Sequence, residues 1–168
     1  MLGRLLPWVG IVLRLVVGGV WIVAGALKLP DPAASVRAVR AYELLPEAVV
    51  PAVGHLLPVV EVVVGACLVA GVLVRANAVV SVLLFAAFVV GIASAWARGL
   101  QIDCGCFGGG GFEAGAAEEY PFEIARDVAL LLASAYLVWR PRSRWAVDAW
   151  LFPAPRAAVA DEKETMES

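Results

Sequence analysis

The chain has 168 residues, 62% of them hydrophobic and 17% charged, with a net charge of −2 and a mean hydropathy of +0.86. One domain of that length has too little interior to hide so much apolar side chain, so lipid must solvate part of it. No Lys/Arg tract speaks for a nucleic-acid partner, and the single histidine, His55, argues against a histidine-rich metal site.

Four long apolar runs follow one another, each near the length needed to cross a hydrocarbon core of roughly 30 Å. They cover about 5–27, 49–73, 78–97 and 122–139. The last is the shortest and opens on the polar trio Glu123, Arg126 and Asp127. Helices are the expected conformation, because within lipid each backbone amide must be satisfied inside its own segment. Trp8, Trp21, Trp96, Tyr120 and Trp139 fall at or near the proposed ends, where aromatic rings favour the interface. Read as a signal peptide, the first run would use Arg4 as its charged start and Ala24-Gly25-Ala26 as its cleavage site. Its length and the internal Arg14 favour a retained span. The expected fold is therefore an all-α integral membrane four-helix bundle. Residues 1–145 would form the membrane domain and 146–168 a cytoplasmic tail, disordered at its acidic end.

With four spans, one side of the membrane carries Arg4, Arg75, Arg140, Arg142, Arg144, Arg156 and Lys163, and the other Lys28, Arg37, Arg40 and Arg98. The positive-inside rule places both termini in the cytoplasm of a bacterial cell whose inner membrane holds the chain. Residues 28–48 and 98–121 then lie outside. The first of these contains a helix-forming stretch, Ala34 to Leu45, expected along the interface, and the inner turn is expected around Arg75-Ala76-Asn77. A lone bundle of four spans is small, and a homo-oligomer within the lipid is a natural assembly.

Cys67 lies inside the second run and reads as a small packing residue. Cys104 and Cys106 sit instead in the glycine-rich stretch Asp103-Cys104-Gly105-Cys106-Phe107-Gly108. A disulfide across one intervening residue closes a small, strained ring, and Gly105 permits backbone angles that a side chain would forbid. Such a bond is easily reduced and removes little chain entropy, which suits exchange with another protein better than cross-linking. Two other readings stay open: half of a metal site, for which His55 is the one credible further donor, and a structural turn with incidental thiols. Asp103 is expected to raise the pKa of a neighbouring thiol through like charge.

Charges inside a span are costly and point to function or to a buried pair. Counting about 1.5 Å per residue sets Arg14 and Glu61 at similar depth, which predicts an ion pair between the first two helices. His55, Arg126 and Asp127 are expected in a second layer under the cysteine loop. There the histidine would either shuttle protons or cap Asp127. Pro58 should bend the second helix and free the carbonyl of Gly54, opening room for a small hydrophobic cofactor such as a quinone.

Gly25-Ala26-Leu27-Lys28-Leu29, Tyr42 to Pro46 and Glu61 to Gly65 resemble motifs of the DoxX-like membrane proteins. Asp103-Cys104-Gly105-Cys106-Phe107-Gly108 resembles the methylamine-utilisation protein MauE branch of that group, and the similarity runs over roughly residues 5–140. The resemblance implies a DoxX-like four-helix bundle and thiol–disulfide chemistry outside the cytoplasm, beside a thioredoxin-like partner. In the namesake system it implies maturation of the small subunit of methylamine dehydrogenase. Its matching positions are Lys28, Glu61, Cys104 and Cys106. The expected function is electron exchange between an extracytoplasmic thioredoxin-like protein and a membrane carrier through the cysteine pair, an oxidoreductase activity. The alternatives are a non-enzymatic assembly factor and a small-molecule carrier lined by Arg14, Glu61 and Arg126.

Overall fold

The computed structural model describes residues 2–140 except residue 107, with side chains from Trp8 onward. The predicted tail, 146–168, and the arginines beyond Arg140 lie outside the described residues. Five helices follow in order: α1 Leu2–Lys28, α2 Pro32–Ala41, α3 Val50–Ala70, α4 Val74–Ala97 and α5 Ala116–Trp139. A two-stranded antiparallel hairpin, β1 Ile102–Asp103 and β2 Gly111–Phe112, sits between α4 and α5. Among the described residues, three helices are long and apolar enough to cross a membrane: Trp8–Lys28 of α1, and the whole of α3 and α4. The protein is thus a mostly helical membrane protein. Helix α5 equals α4 at 24 residues but carries Glu118, Glu119, Glu123, Arg126 and Asp127 in its first half.

The helices run longer or shorter than the apolar runs for local reasons. Helix α3 stops at Ala70 because Gly71 takes φ 77°, giving its N–H to Cys67 and Leu68 carbonyls while Val72 N–H also reaches Cys67 O. A left-handed glycine closing the last turn in this way is a common helix stop. The turn between α3 and α4 therefore falls at Gly71–Leu73, and Arg75-Ala76-Asn77 belongs to the first turn of α4. There the Asn77 amide donates to the carbonyls of Val72 and Leu73 at 3.0 and 3.1 Å. The expected outer helix is present but ends at Ala41, opened by Asp31, whose Oδ1 accepts from Ala34 N–H at 2.9 Å.

Helices α1 and α3 pack antiparallel through glycines. A Cβ on Gly18 would lie 2.8 Å from Gly65 O, one on Gly65 would lie 2.6 Å from Gly18 O, and one on Gly25 would lie 2.6 Å from Pro58 O. Where lipid removes any hydrophobic gain from helix association, such close backbone approach supplies the dispersion contact that holds helices together. Trp21 ties α1 to α4 by stacking on Phe85 at 4.3 Å and donating to Ser81 Oγ at 3.0 Å. Outward-facing residues such as Leu56, Leu83, Val90 and Leu132 are more than three-fifths exposed, an apolar surface that only lipid solvates well.

The antiparallel course gathers Lys28, α2, the start of α3, the end of α4, the hairpin and the start of α5 at one end of the molecule. Helix α2 packs on α3 and on both hairpin strands. It lies across that end as a cover.

Candidate functional site

Glycine geometry lays the cysteine loop down on α2. Gly105 and Gly110 have φ of 65° and 129°, and a Cβ at either would stand 2.6 Å from Ala38 Cβ. Asp103 Oδ1 accepts from Gly105 N–H at 2.8 Å, a short side-chain-to-backbone clasp that fixes the turn between the thiols. Asp103 therefore shapes the loop backbone. A Cβ on Gly109 would meet its other carboxylate oxygen at 2.1 Å.

The sequence puts the two thiols in a glycine-rich stretch expected outside the spans; the structure buries them. Cys104 and Cys106 are free thiols, each 7% exposed. They form an apolar cluster with Ile92 of α4 and Ala116 and Tyr120 of α5, with Tyr42 packed against it. Tyr120 fixes the hairpin to α5. Its hydroxyl accepts from Ile102 N–H at 3.0 Å and lies 2.9 Å from the carbonyls of both Leu100 and Ile102, to either of which it can donate. Tyr42 fixes the loop from the α2 side, donating to Cys104 O at 2.9 Å. Its ring packs closely on Gly91, where a Cβ would be 3.3 Å from Tyr42 Cε1, a tight contact. The strained φ of 51° at Glu43 and the bond from the Arg98 guanidinium to Tyr42 O hold the turn that presents this ring.

Cys104 and Tyr42 both resist ionisation. The Cys104 thiol is held well above the ordinary thiol range by its hydrogen bond to Cys106, then by burial, with the Glu123 carboxylate adding to the effect. Burial, with the neighbouring thiols behind it, likewise pushes the Tyr42 phenol up. Tyr42 is thus a neutral hydrogen-bond donor. Tyr42→Phe, which keeps the ring and removes the donor, should cost about 1 kcal/mol and loosen the loop. The check is thermal unfolding of the solubilised protein followed by tryptophan fluorescence; an unchanged midpoint would mean that the bond contributes nothing.

Two ion pairs lie near the loop, one buried and one with a half-buried arginine. Lys28 Nζ meets Glu61 Oε1 at 2.6 Å, with side chains 4% and 0% exposed, and sits 5.5 Å from the centre of the Phe88 ring. Arg126 Nε meets Asp127 Oδ1 at 2.9 Å. The predicted Arg14–Glu61 pair is therefore corrected: Glu61 takes Lys28, while Arg14 donates to Val69 O at 3.4 Å. Glu61 is level with Gly25, since a Cβ on Gly25 would lie 3.1 Å from Val62 N. Val69 is eight residues farther along α3, about 12 Å at 1.5 Å per residue.

His55 is likewise corrected. It is exposed, with Nδ1 2.6 Å from Pro51 O, because the inward stripe of α3 runs through Gly54, Pro58, Glu61, Gly65 and Leu68 and leaves His55 off it. It neither caps Asp127 nor joins the thiol layer. The residues that sequence reasoning missed here are Tyr42, Tyr120 and Glu123 in their roles around the thiols. The signal was present in α5, where Tyr120, Glu123 and Asp127 fall on one face at helical spacing. Pro58 does lie inside α3. The nearby room is a cavity of about 300 Å³ between α2, α3 and α4, walled by Val39, Leu45, Val53, Leu84, Phe88 and the Tyr42 ring. Among the described residues, no three His, Cys, Asp or Glu side chains come together as a metal site.

No curated protein and no solved structure matches the chain. The sequence model of the methylamine utilisation protein MauE family matches residues 6–140, which takes in the body of α1, α2 to α4, the cysteine loop and all of α5. The buried Lys28–Glu61 pair and the folded Cys-Gly-Cys loop thus belong to the matched segment, and the chain is a membrane protein of the MauE family.

Proposed function

We propose that this protein is a four-span DoxX-like bundle of the bacterial inner membrane, with both termini cytoplasmic. In this reading it passes electrons between an extracytoplasmic thioredoxin-like protein and a membrane carrier through Cys104 and Cys106. The observation that carries the reading is the position of the thiols. They are packed at one end of the helices, with Tyr42 and Phe88 both against them and in the wall of a cavity of small-molecule size. Support for a fourth span comes from α5. It packs along α4 and α1 and exposes Leu132 by 63% and Trp139 by 90%, an apolar flank that lipid would cover.

In the exchange, one cysteine thiolate attacks a disulfide sulfur of the partner, and a mixed disulfide replaces the partner's bond. The second cysteine then loses its proton and attacks the first. This closes the Cys104–Cys106 bond and releases the partner as a dithiol. Two electrons move to the partner, and the reverse sequence moves them back. A lipid-soluble two-electron carrier of the quinone class would reset the pair from the cavity beside Tyr42, whose walls are almost wholly apolar. Gly105 and the run Gly108 to Gly111, all at positive φ, are the hinge that would lift the loop for the partner.

The Cys104→Ser, Cys106→Ser double variant should shift the partner's thiol–disulfide ratio in cells at least about tenfold, a change of about 1.4 kcal/mol. Acid trapping and thiol labelling of the partner read that ratio, and a ratio equal to wild type would end the redox reading. One observation favours a second reading. Both thiols are shielded to 7% exposure, which suits a maturation factor that holds an extracytoplasmic redox protein, of the methylamine dehydrogenase kind, at the membrane. That reading expects the double variant to retain function and changes in α2 to lose it.

A further inference from the structure

On the reading of Cys104 and Cys106 as an exchanging pair, we propose that a quinone seated in the apolar cavity is their lipid-soluble oxidant, and that Phe88 is the partition through which its ring reaches the Cys106 sulfur. Small residues of α4 shape the cavity: Ala87 leaves room beside Phe88, and Gly91 admits the Tyr42 ring. The space measures about 300 Å³, the lower end of the range of small-molecule sites. Leu44 and Leu45 on its wall are 51% and 42% exposed, so its surroundings are apolar outward as well as inward. A compound that enters there comes from lipid, and an oxidant that dissolves in lipid and takes two electrons is of the quinone class.

Phe88 is singled out because it also lines a second space. That one is interior, about 10 Å³, and is walled by Phe88 with Trp21, Phe85, Cys106 and Asp127 among others. Cys106 thus borders the inner space, while among the described residues neither cysteine borders the outer cavity. Phe88 is the side chain that the two walls share. Tyr42, the other ring between cavity and thiols, is fixed: its hydroxyl donates to Cys104 O at 2.9 Å, and its carbonyl accepts from the Arg98 guanidinium. Phe88 has no polar atom to tether it. Its ring lies 6.1 Å from Trp21 between centroids, tilted by 36°, and 5.5 Å from Lys28 Nζ. A change of rotamer exchanges such contacts for others without breaking a hydrogen bond. It would join the two spaces and bring Cys106 into the wall of the combined site.

In the direction that oxidises the partner, the Cys106 thiolate adds to a ring carbon of the quinone and a carbon–sulfur bond forms. The second thiol is at hand, since Cys106 N–H donates to Cys104 Sγ at 3.3 Å and keeps that sulfur beside the Cys106 backbone. Cys104 gives up its proton and attacks the Cys106 sulfur. The electron pair of the carbon–sulfur bond returns to the ring, which leaves as hydroquinone with the two thiol protons. Two thiols and one quinone become one disulfide and one hydroquinone. Without Cys104 the adduct meets no second thiol and settles as a stable thioether.

The test traps that thioether. It uses the full chain in detergent with Cys67→Ser and either Cys104→Ser or Cys106→Ser, so that one cysteine remains. The probe is 2-decyl-1,4-benzoquinone, whose open ring positions accept a thiol, and mass spectrometry of the intact protein follows the adduct. Alkylation by iodoacetamide, a polar reagent, is measured in parallel, and each quinone rate is divided by it. That ratio should be at least about tenfold larger for Cys106 than for Cys104. Phe88→Leu should raise the Cys106 ratio at least about tenfold, and Ala87→Trp, which fills the cavity from an exposed position, should lower it as much. A loosened fold would speed both reagents alike and leave the ratio where it was. A Cys106 ratio that neither variant changes, or a Cys104 ratio as large as that of Cys106, overturns the proposal. If Phe88→Leu does not fold, Ala87→Trp decides alone. Failure of the double-cysteine experiment on the partner would end the exchange reading while leaving these ratios measurable, so the two outcomes are separable.

Discussion

Lys28→Ala should destabilise the protein by about 3–5 kcal/mol, the usual loss when one partner of a buried pair is removed and the other charge stays behind. Glu61 is fully buried, Oε1 takes the 2.6 Å bond from Lys28, and Oε2 has no partner among the described residues. The side-chain directions explain why the pair forms although Lys28 lies beyond the level of Glu61. Side chains lean toward the N-terminus of their own helix. On α1 that carries the long Lys28 chain back into the bundle, and on α3, which runs the opposite way, it carries Glu61 toward Lys28. The aliphatic stem lies along apolar surface while the ammonium reaches the carboxylate. A double-mutant cycle on Lys28→Ala and Glu61→Ala, with unfolding followed by tryptophan fluorescence, should return a coupling of several kcal/mol. The same cycle on Arg14 and Glu61 should return about 0.5 kcal/mol or less, as for groups too far apart to touch. Equal couplings would remove the basis for the Lys28–Glu61 assignment.

The contrast marks where the chain is legible from its residues alone. The first three apolar runs disclosed the three helices long and apolar enough to cross a membrane, and the order of the runs disclosed the end at which the cysteine loop would sit. Length and hydropathy alone decide whether a segment tolerates lipid. The stops were less visible: α3 ends where Gly71 adopts a left-handed turn, a few residues before the apolar run does. The ion pairing was misread because counting residues gives depth along the axis but neither side-chain reach nor helix phase. Arg14 and Glu61 share a nominal depth, yet the packed glycines Gly18, Gly25 and Gly65 set a register in which Arg14 meets Val69. His55 failed on phase, one residue off the inward stripe of α3. Burial of the thiols was hidden for a different reason. A polar glycine-rich stretch reads as a surface loop, whereas here the glycines serve to bring backbone into contact with Ala38, and the cover is supplied by α2, far away in sequence.

That contact yields the sharpest expectation about access to the thiols. Gly110→Val should raise the labelling rate of Cys104 and Cys106 at least about tenfold in the folded protein. Gly110 has φ 129°, and a Cβ there would lie 2.6 Å from Ala38 Cβ, 2.8 Å from Ala38 Cα and 2.9 Å from Ala34 O. The backbone angle alone costs a residue with a side chain about 1–3 kcal/mol. Neither Ala38 Cα nor Ala34 O can withdraw without moving α2, so the hairpin must rise from its cover. Labelling of groups buried to 7% exposure tracks the free energy of that opening, and each 1.4 kcal/mol or so taken from it is worth about tenfold in rate. Gly19→Ala, where a Cβ would meet nothing within 4 Å, is the matched control and should label as wild type does. In a Cys67→Ser background, an impermeant maleimide applied to intact cells reads sidedness at the same time. Faster labelling in intact cells would place the loop outside the cytoplasm and identify α2 as the lid over the pair. Labelling at the wild-type rate would mean that the Ala38 contact does not control access, and the hinge assigned to these glycines would have to be abandoned.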